Sequence, residues 1–402
     1  MITLSTFEIA AFSAGVTWFA YVYAGYPLLL GFLALTRPVR CVRRDDFEPF
    51  VSVLISARNE EADIGWKISE TLAWNYPRDR LQVLVGSDAS EDGTDTIVRS
   101  ISDPRVRLVR MDRRSGKGRV LNRLVRDAVG DMLFFTDANS HVGPDCLHQM
   151  VRHFADPKVG CVTGHSYAGL KEGSPVAETG TAVYWGHELL IKYLDDKFGA
   201  VLACDGAIFS IRRSLYTEVS PELANDLELP LKIYHAGYRV CFEPNARVME
   251  RDTISPSQEF ARRRRICAQG ALAMVRLRQT LRGLRAVQFL SHKVLRWLTI
   301  IPLTLLLLSS AAMMNQPFFA TVFALQVAFY AAALAGSIQA ARSASVSRLL
   351  SVPVYVVVNS IGAFTGVCDA IIGRRFDIWQ SPTLTRGPDE SNGSRVDVRE
   401  PI

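Results

Sequence analysis

The sequence predicts an α/β domain with a mostly parallel sheet, accompanied by α-helical segments that cross a membrane. Three observations predict this architecture. Strand-like and helix-like patterns alternate between residues 51 and 135, as they do in βαβ units. Acidic residues follow three of the strand patterns. Residues 9–36, 297–341 and 349–368 contain no charged side chain, and about 20 apolar residues are enough for a helix to span a bilayer.

The first uncharged segment, residues 9–36, is predicted to be the membrane anchor of an amino-terminal unit that comprises residues 1–44. At ~1.5 Å per residue, this helix would exceed a ~30 Å hydrocarbon core. Glu8 is the only charged residue before the segment, whereas four arginines follow it in residues 37–44. This arrangement differs from a cleaved signal peptide, and basic residues mark the cytoplasmic side of a span. We therefore expect the amino terminus outside and the next domain in the cytoplasm.

Residues 45–258 are predicted to form this cytoplasmic globular domain. Short runs of apolar and β-branched residues predict its first four strands, at Val51–Ile55, Leu81–Val85, Val106–Val109 and Met132–Phe135. Helical patterns lie between the strands, including Lys117–Val129. Since each strand is followed by a helix, successive strands are expected to be parallel.

Carboxylates are expected to gather at one edge of this sheet. Glu60 and Glu61, Asp88, and Asp137 each follow a predicted strand, and open α/β sheets bind ligands at the carboxyl ends of their strands. Such carboxylates can hold a nucleotide or a hard divalent cation that carries a diphosphate. The alternative is that they cap helices, which fits Asp92 particularly well.

Four motifs in this domain resemble, in order and spacing, those of the family 2 inverting glycosyltransferases. They are Ser56–Glu61, Ser87–Thr94, Gly116–Asn122 and Thr136–Asn139, and the likeness covers roughly residues 51–269. The membrane arrangement is similar to that of the integral-membrane branch, which includes hyaluronan, chitin and poly-N-acetylglucosamine synthases. The resemblance implies a GT-A fold and sugar transfer from a nucleoside diphosphate sugar, with UDP expected as the nucleotide.

The resemblance also assigns roles to individual residues. It places Ala57, Glu60 and Asp88 at the nucleobase and ribose, and Lys117 near the phosphates. It makes Asp137 a ligand of Mg²⁺ or Mn²⁺.

Two further positions bear on the metal and on the reaction itself. Where the family motif has a second aspartate as metal ligand, this chain has Asn139. Asp226 matches the general base that takes a proton from the acceptor hydroxyl. The alternative role for Asp226 is to cap the predicted helix Leu227–His235.

A Gln-x-x-Arg-Trp segment of the family corresponds to residues 262–266. Arg262 replaces the glutamine and Ile266 replaces the tryptophan, while Arg265 is retained as a guanidinium able to bind diphosphate. Because that tryptophan belongs to the acceptor platform of polymerising relatives, its replacement favours single-sugar transfer. Trp379 loosely resembles a residue of the segments that close over the nucleotide.

The basic segment, residues 259–296, has no acidic residue after Glu259. Its arginines alternate with apolar residues, as in a helix that lies on anionic lipid. Four of them are expected to contact lipid: Arg276, Arg278, Arg282 and Arg285. Nucleic-acid binding is the competing interpretation of a basic stretch. The spanning segments that follow directly favour the membrane and no nucleic-acid partner.

Residues 297–372 are predicted to form a spanning hairpin and a third segment that is only just long enough to cross. Three crossings would place the polar tail, residues 373–402, outside. Arg374 and Arg375 instead favour a cytoplasmic tail, in which case residues 349–368 would be re-entrant or interfacial. Beyond about residue 387 the tail is expected to be disordered. The seven cysteines have no disulfide or zinc spacing.

These features predict a multi-pass enzyme of the inner (plasma) membrane. We expect it to move a hexosyl or N-acetylhexosaminyl group to a lipid-linked or growing saccharide acceptor in cell-surface polysaccharide synthesis. Two alternatives stay open, a processive β-glycan synthase that exports its polymer and a non-catalytic scaffold with a degenerate transferase domain. Joint retention of Asp88, Asp137, Asp226 and Arg265 weighs against the scaffold.

Overall fold

A computed structural model describes residues 6–36, 39, 41–169, 182–197, 199–251, 255–343 and 346–376. Within these ranges eight strands form one sheet in the order β3-β2-β1-β4-β7-β6-β8-β5. The strands are β1 (Val51–Ala57), β2 (Leu81–Ser87), β3 (Val106–Arg110), β4 (Met132–Asp137), β5 (His141–Val142), β6 (Val159–Gly169), β7 (Phe209–Arg212) and β8 (Arg239–Arg251).

Helices cover the sheet and continue into the membrane-spanning candidates. Up to β8 they are α1 (Thr6–Ala20), α2 (Tyr26–Thr36), α3 (Ile64–Leu72), α4 (Thr94–Ser100), α5 (Lys117–Asp127), α6 (Cys146–Val151), α7 (Ala182–Lys197) and α8 (Asn225–His235). After β8 come α9 (Pro256–Arg276), α10 (Leu284–Phe289), α11 (Leu295–Trp297), α12 (Ile300–Ala312), α13 (Pro317–Ser343) and α14 (Arg348–Ile371).

The predicted α/β domain with a mostly parallel sheet is confirmed. Strands β1 to β4 pair in parallel, and the continuous apolar runs of β1, β2 and β4 are buried on both faces. Beyond β4 the sheet becomes mixed, because β7 runs antiparallel to both β4 and β6. One core cluster lies on each face of the sheet, with Phe134 and Phe135 of β4 pointing to opposite clusters.

Three helices in the described residues are long and apolar enough to cross a membrane: Thr6–Thr36, Pro317–Arg342 and Leu349–Ile371. The first contains a turn of π-helix over Tyr21–Gly25. The predicted hairpin is present, but its first arm, α12, is short for a ~30 Å core at ~1.5 Å per residue. It reaches spanning length only together with Leu284–Trp297, to which it is bent by 56°.

The basic segment does not lie on the surface as one exposed helix. Arg285 is only 2% exposed, donates to the Ala200 carbonyl at 2.6 Å and stacks on the ring of Tyr234. The expectation that Arg285 contacts lipid is therefore wrong. Arg276 makes an ion pair with Glu222. Both arginines attach the segment to the domain that carries the sheet, since guanidinium groups bind carbonyls and carboxylates well.

The last described helix, α14, packs against α9. Gly362 and Gly366 of α14 lie so close to α9 that a Cβ at Gly366 would be 2.2 Å from the Arg264 carbonyl oxygen. Asp369 pairs with Arg264, and Arg375, just after α14, pairs with Glu222. The chain after α14 therefore returns to the domain that carries the sheet. Trp379 and the rest of the tail lie outside the described residues.

Candidate active site

The candidate site lies at the carboxyl ends of three adjacent parallel strands. In the register of the sheet, Ala57 at the end of β1 is opposite Ser87 of β2, and Ser56 is opposite Asp137 of β4. Asp88 follows directly after β2. Parallel pairing thus brings the ends of β1, β2 and β4, after which the predicted carboxylates follow, to the same edge of the sheet.

The loops after β1 and β2 lock onto each other. Asn59 and Ala89 both have positive φ angles, of 51° and 52°, which non-glycine residues adopt at a cost and mostly where function requires it. Arg58 donates to the carbonyls of Asp88 and Ala89 at 2.7 and 2.8 Å. Glu60 is buried, and its N–H donates to the Thr94 hydroxyl at 2.8 Å. These hydrogen bonds join the loops after β1 and β2 into one unit, which we call the rim.

Asp88 fixes the loop that carries Lys117. Its two carboxylate oxygens accept the N–H groups of Ser115 and Gly116 at 2.6 and 2.9 Å. Gly116 has a φ of 89°, which favours glycine, and helix α5 begins at the next residue. A buried carboxylate with two backbone donors is well satisfied. Asp88 therefore orients the start of α5.

Lys117 and Asp137 form the centre of the site. The Lys117 ammonium donates to Asp137 Oδ1 at 2.5 Å, and about a third of each side chain is exposed. Burial by itself would lower the pKa of Lys117, but attraction to Asp137 and Asp226 raises it overall. Lys117 is therefore charged at neutral pH.

Asp226 lies in the first turn of α8, which begins one residue earlier. The capping position belongs to Ala224, whose side chain makes no capping bond, so the alternative role of Asp226 as N-cap is wrong. Burial raises the pKa of the Asp226 carboxyl, Lys117 opposes this, and Asp205 and Asp137 add to the rise. A carboxylate with a raised pKa is a better proton acceptor.

Arg265 completes a charged cluster that consists of Lys117, Asp137, Asp226 and Arg265. Burial lowers the pKa of the Arg265 guanidinium, and Arg262 lowers it further, while Asp226 and Asp137 oppose the change. Even so, an arginine keeps its charge at neutral pH. Two carboxylates and two cations thus share one partly buried cleft. Arg262 itself faces Glu259 at 3.8 Å on the exposed side of α9.

A divalent cation would find few protein ligands here. Among the described residues no group of three or more His, Cys, Asp or Glu side chains is arranged to hold a metal. Within the described ranges, Lys117 is the side chain that bonds to the carboxylate of Asp137, and Asn139 follows in the same turn. Mg²⁺ commonly uses one or two protein carboxylates and takes its other ligands from phosphate and water. The residues therefore fit a cation that arrives with a diphosphate.

Sequence reasoning missed one residue that supports this turn. Lys67 of α3 has no exposed surface, and its ammonium donates to the Ser140 carbonyl at 2.6 Å. Ser140 in turn donates its hydroxyl to the Asp137 carbonyl at 2.8 Å. The only available signal was a lysine on the buried face of α3, between Ile64 and Ile68. Burial lowers the pKa of Lys67 to about 8, although Glu70 opposes this.

Comparisons with known proteins agree with this geometry. A family model described as glycosyltransferase-like family 2 matches residues 49–268. Poly-beta-1,6-N-acetyl-D-glucosamine synthase of Staphylococcus aureus is 26% identical over 202 residues, which cover 49% of this chain and 48% of the relative. A probable glycosyltransferase of Bacillus subtilis is 28% identical over 220 residues, 51% of each chain. The chain thus spans about half the length of these curated relatives.

A solved structure shows the same fold over most of the chain. It is a mannosyltransferase from Pyrobaculum calidifontis, determined in complex with GDP-Man and Mn²⁺. The match has a TM-score of 0.66 at 22% sequence identity and covers 88% of this chain and 98% of the other. At this level of identity the likeness establishes the fold, and the site has to be argued from its own residues.

Proposed function

The chain belongs to glycosyltransferase-like family 2, and from this premise we propose that it is a membrane-bound inverting transferase. The donor is a nucleoside diphosphate sugar, with UDP as the favoured nucleotide. The acceptor is a lipid-linked or growing saccharide in the synthesis of a cell-surface polysaccharide. The relatives named as polysaccharide synthases support this role.

The charged cluster is the observation that carries the proposal. Inversion requires an acceptor hydroxyl to attack the anomeric carbon opposite the leaving diphosphate, and a base must take the hydroxyl proton. Asp226 is a partly buried carboxylate with a raised pKa, which suits this task. Lys117 and Arg265 supply positive charge where the diphosphate leaves, and such preorganised charge lowers the barrier most when water is excluded.

The rim formed by the β1 and β2 loops suits the nucleoside. Ala57 ends β1, and Glu60 and Asp88 place carboxylates just after the ends of β1 and β2. Carboxylates in such positions accept hydrogen bonds from a base edge and from ribose hydroxyls. Arg262 and Trp379 complete the donor side in the proposed assignment.

A divalent cation is the proposed cofactor, Mg²⁺ or Mn²⁺, with Asp137 and Asn139 as its protein ligands. When bound, it would neutralise charge that develops on the leaving diphosphate. Asn139 offers a neutral carbonyl oxygen instead of a second carboxylate, so the protein contributes little charge of its own. This fits a cation that binds together with the donor.

We place the enzyme in the inner membrane, with the sheet on the cytoplasmic side. Large apolar side chains in the spanning candidates are exposed, among them Leu28 at 73%, Leu35 at 83% and Leu325 at 66%, which suits contact with lipid. Since Arg375 returns to Glu222, the segment after α14 lies on the side of the catalytic domain. We propose that α12 together with the segment Leu284–Trp297, and then α13, cross the membrane, and that α14 lies at the interface beside α9.

Product analysis tests the proposal. Membranes that contain the protein would be incubated with a panel of radiolabelled UDP- and GDP-sugars and either cation, and lipid-soluble, oligomeric and polymeric products would be separated. We expect label in a lipid-soluble or short product with one donor, and none with Asp226→Asn membranes. Label in long polymer would favour the processive synthase. No transfer from any donor in the panel would argue against the proposal and for the scaffold.

A further inference from the structure

Helix α8, which carries Asp226, contains a proline in its interior. Pro230 is the sixth residue of the helix and is buried. A proline has no N–H and its ring pushes against the carbonyl four residues earlier. In α8 that carbonyl belongs to Asp226. The residue proposed as the base thus has a main-chain carbonyl that lacks the usual α-helical donor four residues later.

A neighbouring loop supplies the missing donor. The N–H of Cys204 donates to the Asp226 carbonyl at 2.8 Å. Two residues later Gly206 lies against the side chain of the same aspartate, where a Cβ would be 3.0 Å from Oδ2. One short stretch, residues 204–206, therefore contacts both the backbone and the carboxylate of Asp226. We name this stretch the clamp loop.

The clamp loop is itself held firmly by the sheet. Asp205 accepts the N–H and the hydroxyl of Ser166 in β6, both at 2.8 Å. The N–H of Asp205 donates to the Thr163 hydroxyl, also at 2.8 Å. These bonds connect the loop to β6 on one side, while Cys204 connects it to α8 on the other. The position of Asp226 relative to the sheet is therefore set through the clamp loop.

The start of α8 needs this support. Its capping residue, Ala224, has no side chain that can bond to the free N–H groups of the first turn, and uncapped helix ends fray. A general base must stay within about 0.5 Å of its productive position. Frayed motion of the first turn would move Asp226 directly.

We propose that Pro230 is a positioning residue for the transfer reaction, since it keeps the Asp226 carbonyl open to Cys204 and so fixes the carboxylate beside Gly206. The inference rests on the proposed role of Asp226 as base. Pro230→Ala supplies an N–H that draws the carbonyl back towards the helix axis. The loop bond then weakens, although the helix itself gains a hydrogen bond.

Pro230→Ala therefore distinguishes an effect on the position of Asp226 from an effect on the stability of the fold. Removing a proline from a helix interior stabilises the helix, so Pro230→Ala should unfold at an equal or higher temperature than the wild type. We expect turnover to fall about tenfold, which corresponds to ~1.4 kcal/mol in the barrier. The affinity for UDP and KM for the donor should stay unchanged, because the substitution leaves the donor residues Asp88, Lys117 and Arg265 unaltered. A purely structural proline would change stability and turnover in the same direction.

The chain offers a matched control. Pro353 is also the sixth residue of its helix, α14, and it leaves the Leu349 carbonyl without a helical donor in the same way. In the part of the chain that the structure describes, no backbone N–H of a neighbouring segment donates to that carbonyl. Pro353→Ala should therefore keep wild-type turnover.

Hydrogen exchange on the full-length protein in nanodiscs provides the direct measurement. The Cys204 amide should be protected in the wild type and should exchange at least several-fold faster in Pro230→Ala. Rapid exchange in the wild type, unchanged exchange in the variant, or unchanged turnover would each overturn the inference. Failure of the proposed function is a different result, namely wild-type turnover in Asp226→Asn, and Cys204 exchange does not depend on it.

Discussion

Lys67→Met tests whether a buried ammonium organises the turn that carries Asp137. Methionine is an unbranched apolar side chain one heavy atom shorter than lysine, so it fills most of the same space without the charge. The change deletes the 2.6 Å bond to the Ser140 carbonyl and the weaker contact with Glu70 at 3.5 Å. We expect Asp137 and Asn139 to lose their fixed positions.

The structure predicts a small effect on global stability. A hydrogen bond from a charged donor contributes about 1.5–3 kcal/mol, and this is lost. Burial, however, lowers the pKa of Lys67 from 10.5 to about 8, so keeping the ammonium charged inside the fold costs about 3 kcal/mol. The two contributions nearly cancel. We therefore expect a change of no more than ~2 kcal/mol in the free energy of unfolding.

The sign of the pH dependence follows from the same shift. Between pH 8 and 10.5 the unfolded chain still binds the proton that native Lys67 has released, so this group makes stability rise with pH there. Over the same window the bond to Ser140 loses its charged donor. Wild-type transfer should then decline above about pH 8 through Lys67, and the decline should be absent in Lys67→Met.

Two assays check these expectations. Thermal unfolding should differ little between Lys67→Met and the wild type, whereas calorimetry should show UDP binding with Mn²⁺ weakened about tenfold or more. The double variant Lys67→Met/Glu70→Gln controls for the carboxylate that loses its partner. Wild-type affinity and turnover in Lys67→Met would refute the reasoning. Global unfolding of Lys67→Met would refute it too, since Lys67 would then be required for the stability of the whole domain.

The remaining predictions concern the charged cluster. Asp226→Asn should reduce turnover at least ~10²-fold with UDP affinity nearly intact, whereas Glu228→Gln, two residues later in α8, should retain turnover. Near wild-type rates in Asp226→Asn would remove Asp226 from the mechanism. In the wild type the rate should rise with pH as Asp226 loses its proton, above the ordinary range of an aspartate. Asp137→Ala should weaken cation-dependent UDP binding, whereas Asn139→Asp should be tolerated or should shift the preferred cation. Identical metal titrations for the wild type and Asp137→Ala would contradict the assignment of Asp137 as a ligand. Arg265→Ala should slow transfer without changing membrane association, as measured by flotation with and without anionic lipid.

Local pattern was enough to predict the first half of the domain. The apolar runs that became β1, β2, β3 and β4 are short, continuous and followed by helices, so strand type and parallel pairing follow from them. The strand ends then determine where the acidic residues meet. For this reason the sequence alone predicts that Glu60, Asp88 and Asp137 follow strands that end at the same edge of the sheet.

Features that depend on distant contacts could not be predicted in this way. The antiparallel insertion of β7 between β4 and β6 depends on pairing between strands far apart in the chain. Arg285 follows the composition of a lipid-facing helix, yet the Ala200 carbonyl and the Tyr234 ring bury it. Lys67 belongs to no sequence motif, so its contact with the turn after β4 could not be predicted. In each case tertiary partners decide the environment, and no local spacing encodes them.

Charge balance in the cluster explains why Lys117 and Asp137 pair in the protein alone. Two carboxylates and two cations leave the cleft close to neutral, so no charge is buried without compensation. On the proposed function, a diphosphate with its cation brings opposite charges that match this pair one for one. Lys117 would pass from Asp137 to the phosphate oxygens, and Asp137 would pass to the cation. Lys117 thus exchanges one anionic partner for another, and Asp137 exchanges one cationic partner for another. The Lys117–Asp137 ion pair therefore occupies the positions that the donor and its cation would take. Asp226 and Arg265 then face the reacting centre without having had to change their own charge state.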